Sequence, residues 1–324
     1  MPEPAPSAPR QAAGLPASLR DNAGMFLVFL ALFTALSLFL PHFRSWVNMV
    51  GLMLSVSMVG MVACTMLFCM VSGDFDLSVE AVVAMSGVLA VMAINATGSV
   101  PIGILCGVAA GGVVGLVNGF VIARLGINAL ITTLGTMQIV HGLALISCRG
   151  VAVGAMSAEF IEMGNATFLG IPAPVWLTAA CCVVFGVLLH RTRYGRKALA
   201  IGGNREAARL AGVPVVRTRI TIFAVQGLMA GLAGVVLAAR LASGQPNTSA
   251  GFSLEVISAC VLGGVSLSGG IGTLPGVVVG VLIMGTVQNA MNLAGVPAFY
   301  QYVARGGILL AAVLFDKMRR RSGA

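Results

Sequence analysis

Long runs of apolar residues without a charged side chain dominate the chain. These runs cover residues 22–43, 45–73, 81–123, 125–148, 163–190, 220–239 and 256–304. A helix that crosses a membrane needs about 20 predominantly apolar residues. Each run is therefore long enough for at least one span, and the two longest runs are long enough for two. The pattern predicts an all-α, polytopic transmembrane helical bundle.

Two of the runs are interrupted by residues that break helices. One divides at Asn95–Pro101, and the other contains the glycine-rich segment GGVSLSGGIGTLPG at 263–276. With a last segment after Arg305, the chain is predicted to form about ten membrane segments. One of these, near 254–267, is too short for an ordinary span. Broken helices of this kind often mark the substrate route in transporters.

Composition supports a lipid environment. The chain is 58% hydrophobic and 9% charged, with a mean hydropathy of +1.00, whereas soluble domains carry about 25% charged residues. The net charge of +9 does not indicate nucleic-acid binding, because the basic residues are sorted by side. With a cytoplasmic N-terminus and ten crossings, Arg44, Arg149 and Arg240 fall outside and most other Lys and Arg residues fall inside. This is the positive-inside pattern, and it predicts that both termini are cytoplasmic.

Three regions are predicted from these features. Residues 1–22 are rich in Pro and Ala and are expected to form a disordered cytoplasmic tail. Residues 23–316 are expected to form a single transmembrane domain with a cytoplasmic loop at 191–219. Residues 317–324 are expected to be a basic cytoplasmic tail.

The sequence contains no catalytic or metal-binding motif. The two lysines, Lys197 and Lys317, do not follow Gly, so the chain has no P-loop; it also lacks H-E-x-x-H and G-x-S-x-G. The seven Cys residues have no zinc-ligand spacing with His. We therefore predict no catalytic residue and no metal site. If ATP drives transport, a separate polypeptide must supply the ATPase.

The stretch AIGGNREAARLAGVPVVRT, residues 200–218, is unusually polar for this chain. Asn204 is a good N-cap, Gly212 suits a left-handed C′ position, and Pro214 prevents continuation. A helix of about two turns is predicted from Arg205 to Ala211. Such a short helix is marginal in water and would be ordered mainly by docking onto something. The alternative is a surface helix packed on its own loop.

The stretch SGDFDLSVE, residues 72–80, places three carboxylates between two apolar runs. One interpretation is a short cytoplasmic turn with solvated acids. The other places Asp74 or Asp76 at the mouth of a path through the protein, because ionisable groups at membrane depth are rarely without function. The sequence leaves these interpretations equal. By the same argument, Arg305 is expected to pair with a carboxylate or with backbone carbonyls near a helix break.

Small residues and amides complete the pattern. Gly107, Gly111, Gly115 and Gly119 recur every four residues, a spacing that predicts close helix packing in lipid. Gly73, Leu77 and Ser78 match Gly263, Leu267 and Ser268, a weak sign of an internal repeat. A sugar path would use neutral hydrogen-bonding groups, although interhelical hydrogen bonding is the alternative for each of them. The scattered amides are Asn118, Asn128, Gln138, Gln226, Gln288, Asn289 and Asn292.

Five segments in order resemble the permease subunits of bacterial ABC importers for monosaccharides, the ribose, xylose, galactose and arabinose permease family. The segments are SGDFDLSV, INALITTLGTMQIV, IGGNREAARLAGVPVVRT, ISACVLGGVSLSGGIGT and NAMNLAGVPAFYQYVARGGILLAAVLFD. The resemblance implies an inner-membrane transport subunit of the ABC importer permease type, with arabinose as the expected cargo. Another sugar of this group and an ion-coupled secondary carrier remain as alternatives.

The resemblance also implies partners. They are a second copy of the chain, a cytoplasmic ATPase that binds ATP and Mg²⁺, a periplasmic sugar-binding protein and membrane lipid, but no nucleic acid and no cofactor in this chain. It implies that the short helix docks on the ATPase through Asn204, Arg205, Glu206, Ala207, Ala208, Arg209, Leu210 and Gly212. The residues predicted to form the translocation path or its gate are Asp74, Asp76, Ser78, Asn118, Gln138, Gln288 and Asn292.

Overall fold

The computed structural model describes residues 17–322, with side chains for residues 24–311, 313 and 314. Helices account for most of this part of the chain. They are α1 (Ala17–Phe39), α2 (Trp46–Val71), α3 (Val79–Thr97), α4 (Val100–Arg124), α5 (Ala129–Ser147), α6 (Ala158–Asn165), α7 (Ala173–Arg191), α8 (Arg193–Gly203), α9 (Arg205–Leu210), α10 (Val215–Arg240), α11 (Phe252–Leu262), α12 (Leu274–Leu293) and α13 (Ala298–Ser322).

Two pairs of very short strands join the loops at one end of the bundle. The strands are β1 (Val153–Gly154), β2 (Thr167–Phe168), β3 (Ile171–Pro172) and β4 (Ser243–Gly244). β1 pairs with β4 and β2 with β3, both antiparallel. Asn95 fixes the first pair to the end of α3, because its side chain donates to Gly154 O and accepts from Met156 N.

Seven helices of the described chain are long and apolar enough to cross a membrane: α2, α3, α4, α5, α7, α10 and α12. The predicted all-α transmembrane class is confirmed, but about ten segments is too many by this measure. The helix predicted to be short is α11, which ends after 11 residues where the glycine-rich segment begins. The described apolar part of α1, Gly24–Phe39, is also too short to qualify.

The predicted region boundaries change at both ends. The tail expected at 1–22 lies outside the described residues as far as residue 16, and α1 already begins at Ala17. The basic tail expected at 317–324 begins within α13, which continues to Ser322; its last two residues lie outside the described part.

The repeated glycines pack α4 against α10, as the spacing predicts. A Cβ atom on Gly111 would overlap the carbonyl oxygen of Gly227, and a Cβ on Gly227 would overlap that of Gly111. A Cβ on Gly231 would lie 3.0 Å from Gly107 O. Helix backbones this close gain dispersion contacts without a hydrophobic driving force between them, which is how small residues stabilise helix pairs in lipid.

Burial divides the bundle into an inner and an outer part. α2 is buried along most of its length, whereas α5 and α7 leave most of their surfaces exposed. The core around α2 is apolar and includes Met61, Leu67, Met70 and Val261. Exposed apolar side chains such as Leu143 and Val183 suit a lipid environment, in which such surfaces need no cover.

Candidate functional site

α9 is a short, capped helix, as the sequence predicts. The Asn204 side chain accepts a hydrogen bond from Ala207 N at 2.9 Å, which satisfies one of the amides left free at a helix start. At the other end, Gly212 has a φ of 79°, and Val213 N donates to Ala208 O at 3.0 Å. The helix ends at Leu210, one residue earlier than predicted, with Ala211 as its C-cap.

The two sides of α9 have different surroundings. Ala208 is buried, whereas the Leu210 side chain is 78% exposed. Arg209 and Glu206 pair with each other at 2.6 Å, and both side chains are mostly exposed. The helix therefore presents an apolar side chain and two charges to its surroundings, a combination that can be recognised by another protein.

Asp74 lies within reach of the first residue of α9. The Asp74 carboxylate is buried and accepts two hydrogen bonds from Arg219 of α10: Nε to Oδ2 at 2.7 Å and Nη2 to Oδ1 at 2.8 Å. Arg205 Nη2 lies 3.5 Å from the same Oδ1. Such a bidentate arginine–carboxylate pair is a strong and directional contact. Because Asp74 and Asp76 are both buried, the interpretation as solvated acids on an exposed turn is wrong.

Asp76, Ser78 and Asn118 belong to one chain of hydrogen bonds. Asp76 Oδ1 accepts from Ser78 N at 2.9 Å and from Ser78 Oγ at 2.6 Å. Asn118 Nδ2 donates to Ser78 Oγ at 2.9 Å, and Thr136 Oγ1 donates to Asn118 Oδ1 at 2.7 Å. Burial raises the pKa of Asp76 to about 6, while the two Ser78 hydrogen bonds lower it. These hydrogen bonds connect residues 76–78 to α4 and α5.

A junction of glycines lies beside these polar groups. We call Gly73, Gly202, Gly269 and Gly270 the glycine junction. A Cβ on Gly269 would lie 2.9 Å from the Cα of Gly202 and 3.0 Å from the Cα of Gly73. A Cβ on Gly202 would overlap the Val71 carbonyl oxygen, which itself accepts from Gly270 N at 2.9 Å. The end of α8 is thus in backbone contact with the segments that follow α2 and α11.

Gln288 and Asn292 lie four residues apart on α12 and have different polar partners. Arg305 Nη1 lies 3.5 Å from Glu255 Oε2. With the Gln288 amide oriented to satisfy both neighbours, it donates to Glu255 Oε1 at 2.8 Å and accepts from Arg305 Nη2 at 2.7 Å. Asn292 Oδ1 accepts from Gln301 Nε2 at 2.8 Å. Of the two kinds of partner predicted for Arg305, a carboxylate or backbone carbonyls, the structure shows the carboxylate, and it belongs to Glu255.

The seven residues predicted for the path are therefore not brought to one place. Asp74 contacts Arg205 of α9, and Asp76, Ser78 and Asn118 form one hydrogen-bonded series. Gln288 lies between Glu255 and Arg305, whereas Asn292 pairs with Gln301. Gln138 joins none of these groups, since its side chain is exposed on α5. Sequence reasoning missed Arg219, Thr136 and Glu255. The available signal for Arg219 was its position directly before the apolar run 220–239, which places its charge at the start of a span.

Comparison with known proteins gives consistent results. The family described as branched-chain amino acid transport system / permease component matches residues 48–313. The L-arabinose transport system permease protein AraH of Escherichia coli K12 is 59% identical over 93% of this chain and 92% of its own length. The L-arabinose ABC transporter permease protein AraH of Azospirillum brasilense is 55% identical over 97% of this chain and 92% of its own.

A more distant relative transports a different sugar. The ribose import permease protein RbsC of Bacillus subtilis is 38% identical over 92% of this chain and 94% of its own length. No solved structure matches this chain significantly.

Proposed function

The chain belongs to the family described as the permease component of the branched-chain amino acid transport system, and we propose that it is the membrane-spanning subunit of an ATP-driven ABC importer for L-arabinose. The observation that carries the proposal is the high identity to two L-arabinose permeases across more than nine-tenths of the chain. The family gives the mode of transport, and these relatives give the cargo. The chain is a transport component rather than an enzyme.

The partner ATPase docks on α9 in this proposal. The helix has six residues, too few to be stable alone in water, and it exposes Leu210 on the surface that carries Glu206 and Arg209. A cleft of the ATPase would cover Leu210 and offer partners to the two charges. ATP and Mg²⁺ would be bound by that partner, since the sequence of this chain has no P-loop.

The remaining partners follow from the same proposal. A periplasmic sugar-binding protein would deliver the sugar to the opposite end of the bundle, and a second copy of the chain would complete the path at a two-fold axis. The exposed amide of Gln138 on α5 supports a covered or wet face there, because polar side chains are costly in lipid. The complex would lie in the bacterial inner membrane with both termini and the loop 191–219 in the cytoplasm.

ATP would act through the two docked helices. Closure of the ATPase dimer moves both copies of α9, and the bundle changes between outward-open and inward-open forms. A nucleotide can shift this equilibrium only by as much as its contacts differ between the two forms. Asp74, Asp76, Ser78 and Asn118 are the proposed inner gate, and Gln288 and Asn292 are proposed to face the path.

The test is uptake of labelled L-arabinose by cells that lack the chain and are complemented with variants. Wild type is expected to restore uptake. Leu210→Glu is expected to abolish it and to prevent co-purification of the ATPase, because a charge would replace the docked apolar side chain. The control is Arg196→Glu, which introduces a glutamate at an exposed position of α8, outside α9. This variant is expected to retain both L-arabinose uptake and co-purification of the ATPase.

Each other outcome identifies a rival. Uptake and ATPase association that survive Leu210→Glu would remove α9 from the docking role. Uptake that collapses with an uncoupler while ATP persists would indicate an ion-coupled secondary carrier. Restoration of ribose, xylose or galactose uptake but not of L-arabinose uptake would keep the importer and change its cargo. Ribose has a precedent in the Bacillus subtilis relative, a ribose import permease.

A further inference from the structure

Asp74 faces two arginines that differ in how firmly they are held. The Arg219 side chain is 7% exposed and makes two short hydrogen bonds to the carboxylate. Arg219 Nη1 also lies 3.4 Å from Ile122 O of α4. The Arg205 side chain is 48% exposed and reaches the carboxylate at 3.5 Å through one nitrogen. One contact is therefore fixed, and the other is open to exchange with water.

The energetics of the two contacts follow from their burial. Removing one partner of a buried ion pair leaves an uncompensated charge and is strongly destabilising. A half-exposed ion pair contributes little stability by itself, because water screens it and holding two long side chains in place costs entropy. Arg205 can therefore leave Asp74 without unfolding the site, since Arg219 continues to neutralise the carboxylate.

The backbone around Arg205 allows such a movement. α8 and α9 are joined by Asn204 alone, which has extended dihedral angles, φ −157° and ψ 106°. On one side of this residue, the end of α8 is packed at Gly202 against Val71 and Gly270. On the other side, α9 exposes Leu210. α9 can pivot about Asn204 while the end of α8 remains in the glycine junction, so the backbone alone does not tie α9 to residues 72–78.

Asp74 is connected to four helices. It follows α2 by three residues in the chain, and Arg219 joins it to α10 and α4. Two residues later, Asp76 begins the hydrogen-bonded chain through Ser78 and Asn118 to Thr136 of α5. A displacement of Asp74 therefore reaches the helices that surround residues 72–78.

We propose that Arg205 is a positioning residue that links the orientation of α9 to the buried segment 72–78 through its contact with Asp74. The contact is present in one orientation of α9 and lost in the other, so that it adds a free-energy difference between the two states of the bundle. This inference rests on the proposal that α9 docks on the ATPase. Arg205 is assigned the transmission of movement and not the docking itself.

The experiment uses the complete importer, with the partner ATPase and the sugar-binding protein, in proteoliposomes. The readout is the number of labelled L-arabinose molecules transported per ATP hydrolysed, with co-purification of the ATPase as a separate measurement. Arg205→Gln is expected to lower this ratio by about fivefold or more, the lower end of ordinary coupling free energies, with the ATPase still bound. Arg205→Lys, which keeps the charge, is expected to restore part of the ratio.

The matched control is Arg217→Gln, which removes an exposed arginine of the same loop for which the described residues show no ion pair. It is expected to keep the wild-type ratio. In an Asp74→Asn background, Arg205→Gln is expected to cause no further loss, because its partner is already altered. If Asp74→Asn does not fold, the inference is decided by whether Arg205→Lys transports more L-arabinose per ATP than Arg205→Gln does.

Three results of the transport measurement would overturn the inference. They are a wild-type ratio in Arg205→Gln, an equal loss in Arg217→Gln, and a further loss when Arg205→Gln is added to Asp74→Asn. Loss of ATPase binding in Arg205→Gln alone would make Arg205 a docking residue, which contradicts the inference but leaves the proposed function in place. ATPase binding that survives Leu210→Glu would instead remove the docking proposal on which the inference rests.

Discussion

Two non-helical segments meet at the glycine junction, and they are held in different ways. Residues 72–78 follow α2, and their two aspartates are buried with an arginine and a serine as partners. Residues 263–273 follow α11 and contain no charged residue. They are fixed by backbone hydrogen bonds, including Ser266 N to Ile271 O at 2.9 Å, and by neutral hydroxyls, such as Ser266 Oγ, which accepts from Ser268 N at 3.1 Å. Ile271 is 64% exposed.

The first segment therefore contains titratable side chains, and the second contains none. Side-chain contacts in 72–78 can change with protonation or with the position of Arg205, whereas the backbone contacts in 263–273 cannot. The backbone conformations of the two segments also do not follow the weak internal repeat seen in the sequence. Gly73 has a φ of 81°, but its supposed counterpart Gly263 has a φ of −70° and is the C-cap of α11; the left-handed residue there is Gly264, with a φ of 83°.

Arg219→Gln is expected to have the largest effect and to act on the first segment alone. It leaves the buried Asp74 carboxylate without its bidentate partner, which costs about 3–5 kcal/mol of unfolding free energy. The thermal unfolding midpoint of the purified permease in detergent measures this loss. Arg217→Gln, two residues earlier and exposed, is the control; a similar midpoint for the two variants would show that the ion pair does not hold the segment.

Gly202→Ala is expected to have the next largest effect and to disturb both segments. The added methyl would overlap Val71 O and lie 2.6 Å from Gly270 N, and backbone atoms cannot move aside as a flexible side chain can. Overpacking of this kind costs about 1–3 kcal/mol. Gly203→Ala is the matched control, since a Cβ there meets no atom within 4 Å; in a helix it should stabilise by up to about 1 kcal/mol.

The measurement compares Gly202→Ala with Gly203→Ala, both in the amount of protein in the membrane and in the thermal unfolding midpoint. Equal values for the Gly202 and Gly203 variants would mean that the glycine junction opens at little cost. The close backbone packing at Gly202 would then not be what holds the two segments together.

The smallest expected effect is a pH dependence confined to the first segment. Burial raises the pKa of Asp76 from 3.8 to about 6, so the folded state binds this proton more tightly than the unfolded state. The corresponding stability is complete below pH 3.8 and is lost as the pH rises through about 6. Between pH 5 and pH 7 the loss is about 1 kcal/mol.

Unfolding midpoints of wild type and Asp76→Asn across this range provide the measurement. Wild type is expected to lose stability relative to Asp76→Asn as the pH rises. A constant difference between the two proteins from pH 5 to pH 7 would show that Asp76 does not titrate in this range. Residues 263–273 contain no titratable side chain, so they contribute nothing to the difference.

Local rules predicted α9 and the packing of α4. Asn204, Gly212 and Pro214 act on their immediate neighbours, and a four-residue glycine spacing places small residues on one helix face whatever the partner helix is. The membrane class followed from composition in the same way. These features depend on residues close together in the chain, which is why the sequence was sufficient.

The partners of the charged groups could not be predicted in the same way. Asp74 and Arg219 are separated by 145 positions. The position of Arg219 directly before an apolar run marks it out locally, but nothing local identifies Asp74 as its partner. The sequence left a carboxylate and backbone carbonyls as possible partners of Arg305 and did not select Glu255. Gln138 resembled the other amides in the sequence, yet the tertiary arrangement leaves it exposed on α5. Such choices depend on which helices become neighbours.

The glycine junction also constrains how this chain can change over many generations. Gly73, Gly202 and Gly269 come from distant parts of the sequence, yet each excludes a side chain. A Cβ on Gly202 or Gly269 would require neighbouring backbones to retreat, and Gly73 has a φ of 81°, which residues with a side chain rarely adopt. A substitution at any one of them is therefore not neutral by itself, and no single change elsewhere in the junction makes room for it. The three positions are expected to vary together or not at all, so that mutational drift in this permease is concentrated on the outer faces of helices such as α5 and α7.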